Sequence, residues 1–536
     1  MPKLFLFAIG GTGERVLRSL NMVLASGAPT FDNYEVFPII IDYDKDNADK
    51  DRTVKLLQNY AAIHYAAFTR HGQTTGQDGR NNQFFAAKLS CLHGLTNYVF
   101  PFQPATPNEK FREHIGYDNL AGDTKLTKDL LKSLYDESDR ADTELNLNMT
   151  VGFKGNPNIG SVVFHTIKGT AEFSRIFNGN FQPEAGDKVV IIGSLFGGTG
   201  ASGIPEIVKA INDRQPDAKA AVSTILVLPY FAPMERRGGA IKASRFNSKT
   251  KAALSFYDDS GLKDMVGKIY YVGDYYPTVI PYSEGGNDQI NNANIVELIA
   301  VMMIEHFVAG RGGRDKEFKF SPDANIVVLP GQRNGQRLFM TDFDQTSIDM
   351  VLRHLVQLAI AMKFYHDEIS PKKTTNVDFH RYLNLNRALD SSNLTDATAH
   401  LSALCAGLKE FYGYYQAWLK EIDFEGIDNE IPANKHRLGL CDMTRSYSNI
   451  LLKEDVANQR RRESRIINNI QRFFGGSEES IPLDYDFLCA RMNDNIDPYF
   501  NNKSQLKEGY EPEWVFADIL HRTSENAFDE RKISGE

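Results

Sequence analysis

The stretch KVVIIGSLFGGTGASGIPEIV, residues 188–208, passes from an apolar strand through a glycine cluster directly into a helical pattern. Glycines at such a turn leave bare backbone amides at the positive end of a helix dipole, where phosphate oxygens can bind. Gly197, Gly198, Thr199 and Gly200 are therefore predicted to bind the phosphate groups of a ligand. The kind of ligand depends on what the rest of the chain places beside them.

Four other apolar runs are almost as continuous as the one at 188–194. They are KLFLFAI at 3–9, FPIIIDYD at 37–44, STILVLPY at 223–230 and KIYYVGD at 268–274. Strands of this kind are typical of a parallel sheet that helices cover on both faces. Because helical stretches alternate with them, the chain is predicted to be an α/β protein with a doubly wound, mostly parallel sheet.

The patterns divide the chain into three regions. The α/β pattern covers residues 1–310 and contains a polar, aromatic-rich segment at about 52–148, which we interpret as an insertion on the edge of the sheet. Residues 311–345 are a connector. From about Thr346 onward apolar residues recur at intervals of three and four, so residues 346–536 are predicted to form a mainly helical C-terminal domain.

Composition excludes several classes of protein. The 536 residues carry a formal net charge of −9, so nothing favours the phosphate attraction on which nucleic-acid binding depends. The four cysteines show no CxxC spacing, which argues against a disulfide framework and a structural zinc and favours a cytoplasmic location. No apolar run reaches the length of a membrane span.

A second glycine-rich turn follows the first strand. The segment AIGGTGERVLRSL, residues 8–20, places Gly10, Gly11, Thr12 and Gly13 between a strand and a helix. It lacks the full GxGxxG pattern, so tight packing alone is an alternative explanation. Asp42, which ends the second strand, keeps a dinucleotide-binding fold open, because an acid at that place binds the ribose.

Two phosphate-binding turns that converge on one ligand imply a polyphosphate. A dinucleotide fold needs only one such turn, whereas this chain supplies one after residue 9 and another after residue 196. Neither turn contains the glycine-lysine-serine or glycine-lysine-threonine ending of a Walker loop.

Residues 196–203, FGGTGASG, resemble the GGGTGSG or GGGTGTG signature of the tubulin and FtsZ superfamily of GTP-binding filament proteins. Phe196 replaces the first glycine of that signature. Three more motifs follow the order of the family. They are GFKGNPNIGS at 152–161, similar to the loop that wraps the terminal phosphate; LPYFAPMERR at 228–237, similar to a ribose-binding loop; and NDQINNANIVELIAVMMIEHFVA at 287–309, similar to the central helix that reads guanine.

The resemblance implies a GTP or GDP site with Mg²⁺. The ion would be organised through water near Asp42 and Asp44, with no direct protein ligand assigned. An asparagine at a helix start is also a common cap, so at most one or two of those before the central helix are expected to contact the base. The implied contact residues are Gly155 and Asn156 at the terminal phosphate, Glu235 with Arg236 or Arg237 at the ribose, and Asn291, Asn292 or Asn294 at the base.

The family completes hydrolysis with acids that a neighbouring subunit inserts. The nearest equivalent here is LFMTDFDQTSID at 338–349, in which Asp342 aligns with the first acid. Gln345 replaces the second acid, and Asp344 or Asp349 is a candidate to compensate for it. The resemblance therefore implies a candidate GTPase whose activity depends on self-association, with Asp342 and Asp344 as its catalytic residues.

Three functions follow from these observations. The first is a nucleotide-dependent protein that assembles into a homo-oligomer or filament and offers its helical region to a protein partner. The second is a non-polymerising scaffold that holds a nucleotide and recruits partners. The third is an NAD-dependent oxidoreductase.

Overall fold

The computed structural model describes residues 1–68, 83–102, 108–120, 125–135, 143–167, 169–177, 181–237, 239, 241–275, 277–320, 337–338, 343–371, 399–426, 433–434, 436–440, 485–501 and 505–533. All statements below concern these residues.

A sheet of seven parallel strands forms the centre of the protein. Its strands are β1 (Lys3–Ile9), β2 (Glu35–Ile41), β3 (Lys88–Leu89), β4 (Lys188–Ser194), β5 (Val222–Val227), β7 (Lys268–Val272) and β9 (Glu317–Phe320), in the spatial order β3-β2-β1-β4-β5-β7-β9. Short strands β6 (Phe231–Pro233) and β8 (Thr278–Ile280) pair in parallel outside it. The α/β class with a parallel sheet is therefore confirmed.

The side chains of β1 show how the sheet is covered. Leu4, Leu6 and Ala8 belong to one hydrophobic core, whereas Phe5 and Phe7 belong to another. Successive residues of a strand point to opposite faces, so these two cores lie on the two sides of the sheet. The near-continuous apolar run at 3–9 is the consequence of burial on both sides.

Fourteen described helices are numbered here in chain order. They are α1 (Gly10–Ala25), α2 (Ala48–Phe68), α3 (Phe111–His114), α4 (Lys125–Leu134), α5 (Pro157–Ile167), α6 (Ala171–Arg175), α7 (Gly198–Arg214), α8 (Phe246–Asp259), α9 (Leu262–Met265), α10 (Ile295–Val308), α11 (Arg353–Phe364), α12 (Ala399–Ile422), α13 (Tyr485–Asp494) and α14 (Pro512–Ile533). Helices α5, α7, α8 and α9 contribute to the core that contains Phe5, and α1, α2 and α10 to α14 contribute to the core that contains Leu4.

The C-terminal helices pack onto the face of the sheet that α1 covers. The indole nitrogen of Trp418 on α12 donates to the hydroxyl of Ser19 on α1 at 3.1 Å, and Tyr415 donates to the carbonyl of Leu355 on α11 at 2.6 Å. Trp418 and Tyr415 are buried. The described helices after residue 345 therefore share one hydrophobic core with the α/β part of the chain.

The segment interpreted as an insertion begins inside a helix of the main fold. Helix α2 covers Ala48–Phe68 and packs between α1 and α12. The chain then returns to the sheet as β3, which pairs with β2. The first part of residues 52–148 is thus a crossover between two parallel strands, and what lies beyond β3 includes α3 and α4.

Four more short strands form two pairs. Strands β10 (Arg337–Leu338) and β11 (Arg437–Leu438) pair in parallel, and β12 (Phe500–Asn501) and β13 (Gln505–Leu506) pair in antiparallel fashion. Among the helices described above, none is both long enough and apolar enough to cross a bilayer.

Candidate functional site

The candidate site lies where the strand order reverses. Strand β1 has β2 on one side and β4 on the other, and chain connections leave the sheet in opposite directions from this point. In open parallel sheets, ligands bind in the crevice outside the carboxyl ends of the strands at such a switch point. Both glycine-rich turns are located there, since Gly10 follows β1 directly and Gly197 lies three residues after β4.

Two long helices begin at this crevice. Helix α1 starts at Gly10 and α7 starts at Gly198, and neither has a side-chain hydrogen bond that caps its first turn. The first amide groups of a helix have no partner within the helix, so uncapped N-termini present free donors and a positive dipole end. Gly10, Gly11 and Thr12 on α1 and Gly198 to Gly200 on α7 line the same cleft.

The glycines bring three backbone segments into contact. A Cβ on Gly10, whose φ is +70°, would lie 3.1 Å from Cβ of Thr199. A Cβ on Gly198 would lie 2.8 Å from Cβ of Phe153 and 3.3 Å from the amide nitrogen of Gly155. The turns after β1 and β4 and the loop at residues 151–156 therefore meet at distances that only glycine permits.

The third segment has an unusual backbone. Gly152, Lys154 and Gly155 have φ values of +74°, +44° and +73°. A lysine in the left-handed region is uncommon, and such residues concentrate at functional sites. The Lys154 ammonium pairs with Glu284 at 2.9 Å, so this loop is also tied to the segment that follows β8.

The cleft encloses about 880 Å³ of empty space, part of it open to solvent. The glycine turns and a group of aromatic rings both belong to its wall. There the ring centroid of Phe196 lies 4.9 Å from that of Phe246 and 5.2 Å from that of Phe231.

Three carboxyl groups stand together after β2. Asp42 and Asp44 line the cleft, and Glu14 is fully buried next to them. The Asn47 side-chain amide donates to Glu14 at 3.2 Å and to Asp42 at 3.0 Å, and the amide of Gly286 donates to Asp44 at 2.6 Å. Oε1 of Glu14 is buried without a hydrogen-bond partner among the described residues.

Burial raises the pKa of all three acids, and the charge of Asp42 further raises the pKa values of Asp44 and Glu14. Burial is the largest cause for each of them, and it raises the pKa of Asp44 to about 6. The pKa values of Asp42 and Glu14 are also raised by burial, and that of Glu14 is raised further by the charge of Asp42. A cation placed near Asp42 and Asp44 would favour their ionised forms.

A buried network forms the floor between the cleft and α10. The guanidinium of Arg15 donates to Glu297 at 2.9 Å, to Asp49 at 3.1 Å and to the Tyr230 hydroxyl at 2.9 Å. Arg15 lines the cleft, but two carboxylates already neutralise it. Its main role in the described structure is to join α1, α2 and α10.

Most of the predicted nucleotide-binding residues line one cleft, and the predicted glycine turns are not scattered. The residues that line it are Gly10, Gly11, Thr12, Asp42, Gly155, Gly197, Gly198, Thr199, Gly200 and Asn291.

The other predicted residues lie outside this wall. A Cβ on Gly13 would lie 2.8 Å from the carbonyl carbon of Ala8, so this glycine serves the packing of α1 on β1. The amide of Asn156 donates to the carbonyl of Phe153 and closes the turn before α5. The side chains of Glu235 and Arg236 are exposed, and the Arg236 guanidinium stacks 5.6 Å from the ring centroid of Tyr282.

Asn294 is the N-cap of α10. Its side chain accepts from the amide of Val296 at 3.0 Å, and Glu297 accepts from the amide of Asn294 at 3.1 Å. Together they form a capping box. Asn291, Asn292 and Asn294 also line a second cavity of about 740 Å³, which shares Arg15 and Phe231 with the cleft.

Of the two predicted catalytic acids, the structure describes only Asp344. Asp342 lies outside the described residues. Asp344 is exposed, and its carboxylate accepts from the amide of Ser347 at 3.0 Å and from its hydroxyl at 2.7 Å. It thereby caps the helical turn Gln345–Ser347.

Seven polar residues of the cleft wall were not predicted: Arg15, Asn47, Lys154, Ser194, Ser283, Glu284 and Gln289. Asn47 closely follows the acids at the end of β2, and Gln289 lies two residues before Asn291. Their nearness to predicted residues is the signal that sequence reasoning could have used. The same signal applies to Arg15, two residues after Gly13, and to Lys154, which directly precedes Gly155.

Within the described part of the chain, no group of three or more histidine, cysteine, aspartate or glutamate side chains is arranged to hold a metal ion. This does not conflict with a magnesium ion bound together with a nucleotide, because Mg²⁺ usually keeps several waters and takes only one or two protein carboxylates beside phosphate oxygens.

Comparisons with protein families, with curated proteins and with solved structures found no match for this chain.

Proposed function

We propose that the protein binds a purine nucleoside triphosphate together with Mg²⁺, with guanine as the base. The observation that carries this proposal is that the turns after β1 and β4 and the loop at residues 151–156 line one cleft. Each of these segments offers backbone amides and contains glycines at which the backbone is open to a ligand. A polyphosphate, with charge spread over several groups, is the ligand class that needs several such segments at once.

The phosphates would be held mainly by backbone amides and helix dipoles. The N-termini of α1 and α7 have no side-chain cap. The two cations in the wall, Arg15 and Lys154, are paired with carboxylates. Asp42 and Asp44 would repel bare phosphates, so the same wall favours a ligand that carries a divalent cation. When bound, Mg²⁺ would neutralise charge between these acids and the phosphate oxygens.

The aromatic part of the cleft wall suits a base. Phe196, Phe231 and Phe246 provide an apolar wall there. Asn291 donates to Asp49 through its backbone amide and its side-chain nitrogen, both at 3.2 Å, which fixes its orientation at the rim. An amide side chain offers both a donor and an acceptor, as recognition of a base edge requires. The choice of guanine itself comes from the family resemblance.

The resemblance also leads us to propose self-assembly, with hydrolysis of GTP completed by a neighbouring subunit. Asp342 remains the candidate for this reaction. One observation favours the alternative, a scaffold that holds its nucleotide without polymerising: the Asp344 carboxylate is engaged in capping a helical turn. Assembly and turnover therefore have to be measured separately from binding.

The test has two stages. We expect nucleotide released from the purified, heat-denatured protein to be GTP or GDP by chromatography, and recovery of NAD would overturn the proposal. With Mg·GTP added, we expect light scattering to rise and phosphate release to increase more than linearly with protein concentration. Asp342→Ala should abolish the release while leaving binding intact. Turnover proportional to concentration and insensitive to Asp342→Ala would contradict hydrolysis in trans.

A further inference from the structure

A lysine of α8 reaches the loop at residues 151–156. Nζ of Lys249 donates a hydrogen bond to the carbonyl of Gly155. A Cβ on Gly155 would lie 3.2 Å from this nitrogen, so Lys249 packs against the loop at a glycine. Lys249 is half-buried, and burial followed by the nearby charge of Arg245 lowers its pKa.

Lys249 differs from the other cations around the cleft in its charge balance. Arg15 is paired with Asp49 and Glu297, and Lys154 is paired with Glu284. Lys50 lies close enough to Asp42 and Asp44 to lower the pKa of both carboxyl groups.

Among the described residues, Lys249 has no ion pair, and the Gly155 carbonyl is its hydrogen-bond partner. Glu144 is a carboxylate near enough to raise its pKa, but it forms no salt bridge with it. An ammonium group has three donors, so two remain beyond the bond to Gly155.

The lysine also determines which groups the loop turns toward the cleft. Gly155 lines the cleft, and its carbonyl is occupied by Lys249. The Gly155 amide lies beside Gly198 at the start of α7, where a Cβ would be 3.3 Å away from it. Holding the carbonyl outward keeps the partial negative charge of that oxygen away from an anion and leaves the amide facing the N-terminus of α7.

We propose that Lys249 is a positioning residue that makes the site prefer a nucleoside triphosphate over the diphosphate. This inference rests on the proposed function and adds to it a physical reason for preferring the triphosphate. The turns after β1 and β4 hold the phosphates that both ligands share. The loop at 151–156, which Lys249 holds from α8, is the segment that the family resemblance assigns to the outermost phosphate. Loss of this contact and its charge should therefore weaken triphosphate binding selectively.

The experiment measures dissociation constants for the slowly hydrolysed analogue GTPγS and for GDP, each with Mg²⁺, by titration calorimetry on the full chain. In Lys249→Met we expect affinity for GTPγS to fall by about tenfold or more, because a hydrogen bond or charge acting on an ionised group is lost. Affinity for GDP should change by less than about threefold. Lys249→Arg, which keeps the charge and a donor, should retain most of the preference.

Lys251→Met is the matched control, because Lys251 is an exposed lysine on the same helix. It should leave both constants unchanged. Thermal unfolding without ligand reports whether Lys249→Met is folded, and Lys249→Arg extends the test if it is not. If Lys249→Met lowered the affinities for GTPγS and GDP equally, or lowered neither, the role of Lys249 would be overturned. The proposed function would not be affected by that result. A wild-type protein that binds neither nucleotide would overturn the proposed function, and this inference with it.

Discussion

Asp42 and Asp44 are placed so that a bound cation would change their protonation state. Both lie at the cleft with Glu14 behind them, in a setting where burial opposes ionisation. Amides of Asn47 and Gly286 support the ionised forms without neutralising them. The environment is therefore unfavourable for two bare carboxylates and favourable for two carboxylates beside a cation.

Nucleotide binding should depend on pH through Asp44. Its pKa is about 6, above the ordinary value of 3.8. A cation binds the ionised form, so Mg²⁺-dependent affinity should be full above pH 7 and should fall by up to about tenfold for each pH unit below 6. Asp44→Asn should be weaker than wild type at pH 7.5 and should lose this part of the pH dependence. Calorimetry between pH 7.5 and 5 measures both effects.

The comparison of variants is essential to that measurement, because a terminal phosphate itself titrates near pH 6. The difference between wild type and Asp44→Asn isolates the carboxyl group. Asp46→Asn, an exposed acid in the same segment, serves as the control and should follow the wild-type curve. Curves for Asp44→Asn and wild type that are parallel over the whole range would show that Asp44 does not contact the cation.

Glycines of one sequence pattern have different physical roles. Gly198 is required because the loop at 151–156 approaches its Cα from the side of the cleft, whereas Gly13 is required because Ala8 approaches from the sheet. Both belong to glycine-rich turns between a strand and a helix, and the sequence alone does not separate them. Only the contact that a side chain would meet distinguishes a ligand-facing glycine from a packing glycine.

At the scale of elements, the start of α10 shows a cap where a base contact was predicted. Asn294 and Glu297 satisfy each other's amides in a capping box, and Asn294 is 5% exposed. Asn291, three residues earlier, lies in the cleft wall instead. The motif therefore supplies one helix cap and one residue of the cleft wall.

We expect Asn294→Ala to destabilise the protein without abolishing nucleotide binding. Loss of an N-cap costs about 0.5–2 kcal/mol, which urea denaturation can measure. Affinity for GTP should stay within about threefold of wild type when measured under conditions where the variant is folded. Asn294→Asp keeps the capping acceptor and should recover most of the stability. A loss of affinity above tenfold at unchanged stability would instead make Asn294 a contact of the base.

Helix α2 shows why the element pattern of residues 52–148 was hard to predict. It packs against α1 on one side and α12 on another, so its buried residues do not form a single stripe. Leu56 and Leu57 are adjacent in sequence and both buried. In a helix that is buried on two sides, apolar residues no longer recur only at intervals of three and four. That interval is the pattern by which an amphipathic helix is recognised in a sequence. Strand β3, with two residues, is too short to leave a pattern of its own.

At the scale of the whole molecule, the sequence predicted the parallel sheet, because the strands at 3–9, 188–194 and 222–227 are buried on both faces. It also predicted that two glycine turns converge, since both follow strands that end on the same edge. It did not predict that the C-terminal helices extend the core on one face. Helical periodicity gives the buried side of a helix but not the surface that covers it.

Long-range contacts fix these helices to the cleft. Glu421, at the end of α12, accepts from Arg18 at 2.7 Å and from the backbone amide of Ala293 at 2.9 Å, and it also pairs with Arg52. Arg18 belongs to α1, and Ala293 lies in the segment that leads into α10. Pairings between residues so far apart in the chain have no local signal, and a single sequence does not reveal them.

The central claim is that the three backbone segments meet at a phosphate site. The most direct test is calorimetric titration of Mg·GTP into wild type, Gly198→Asp and Gly413→Asp. Gly413 lies on the exposed side of α12 with no atom within 4 Å of an added Cβ, so its variant controls for the added carboxylate, and Gly198→Ala controls for the contact of a Cβ with Phe153. A carboxylate about 4 Å from a phosphate costs about 4 kcal/mol near a protein surface, or about a thousandfold in affinity. The account predicts that Gly198→Asp loses binding while folded and that Gly413→Asp binds as wild type does; undiminished affinity in a folded Gly198→Asp protein would contradict it.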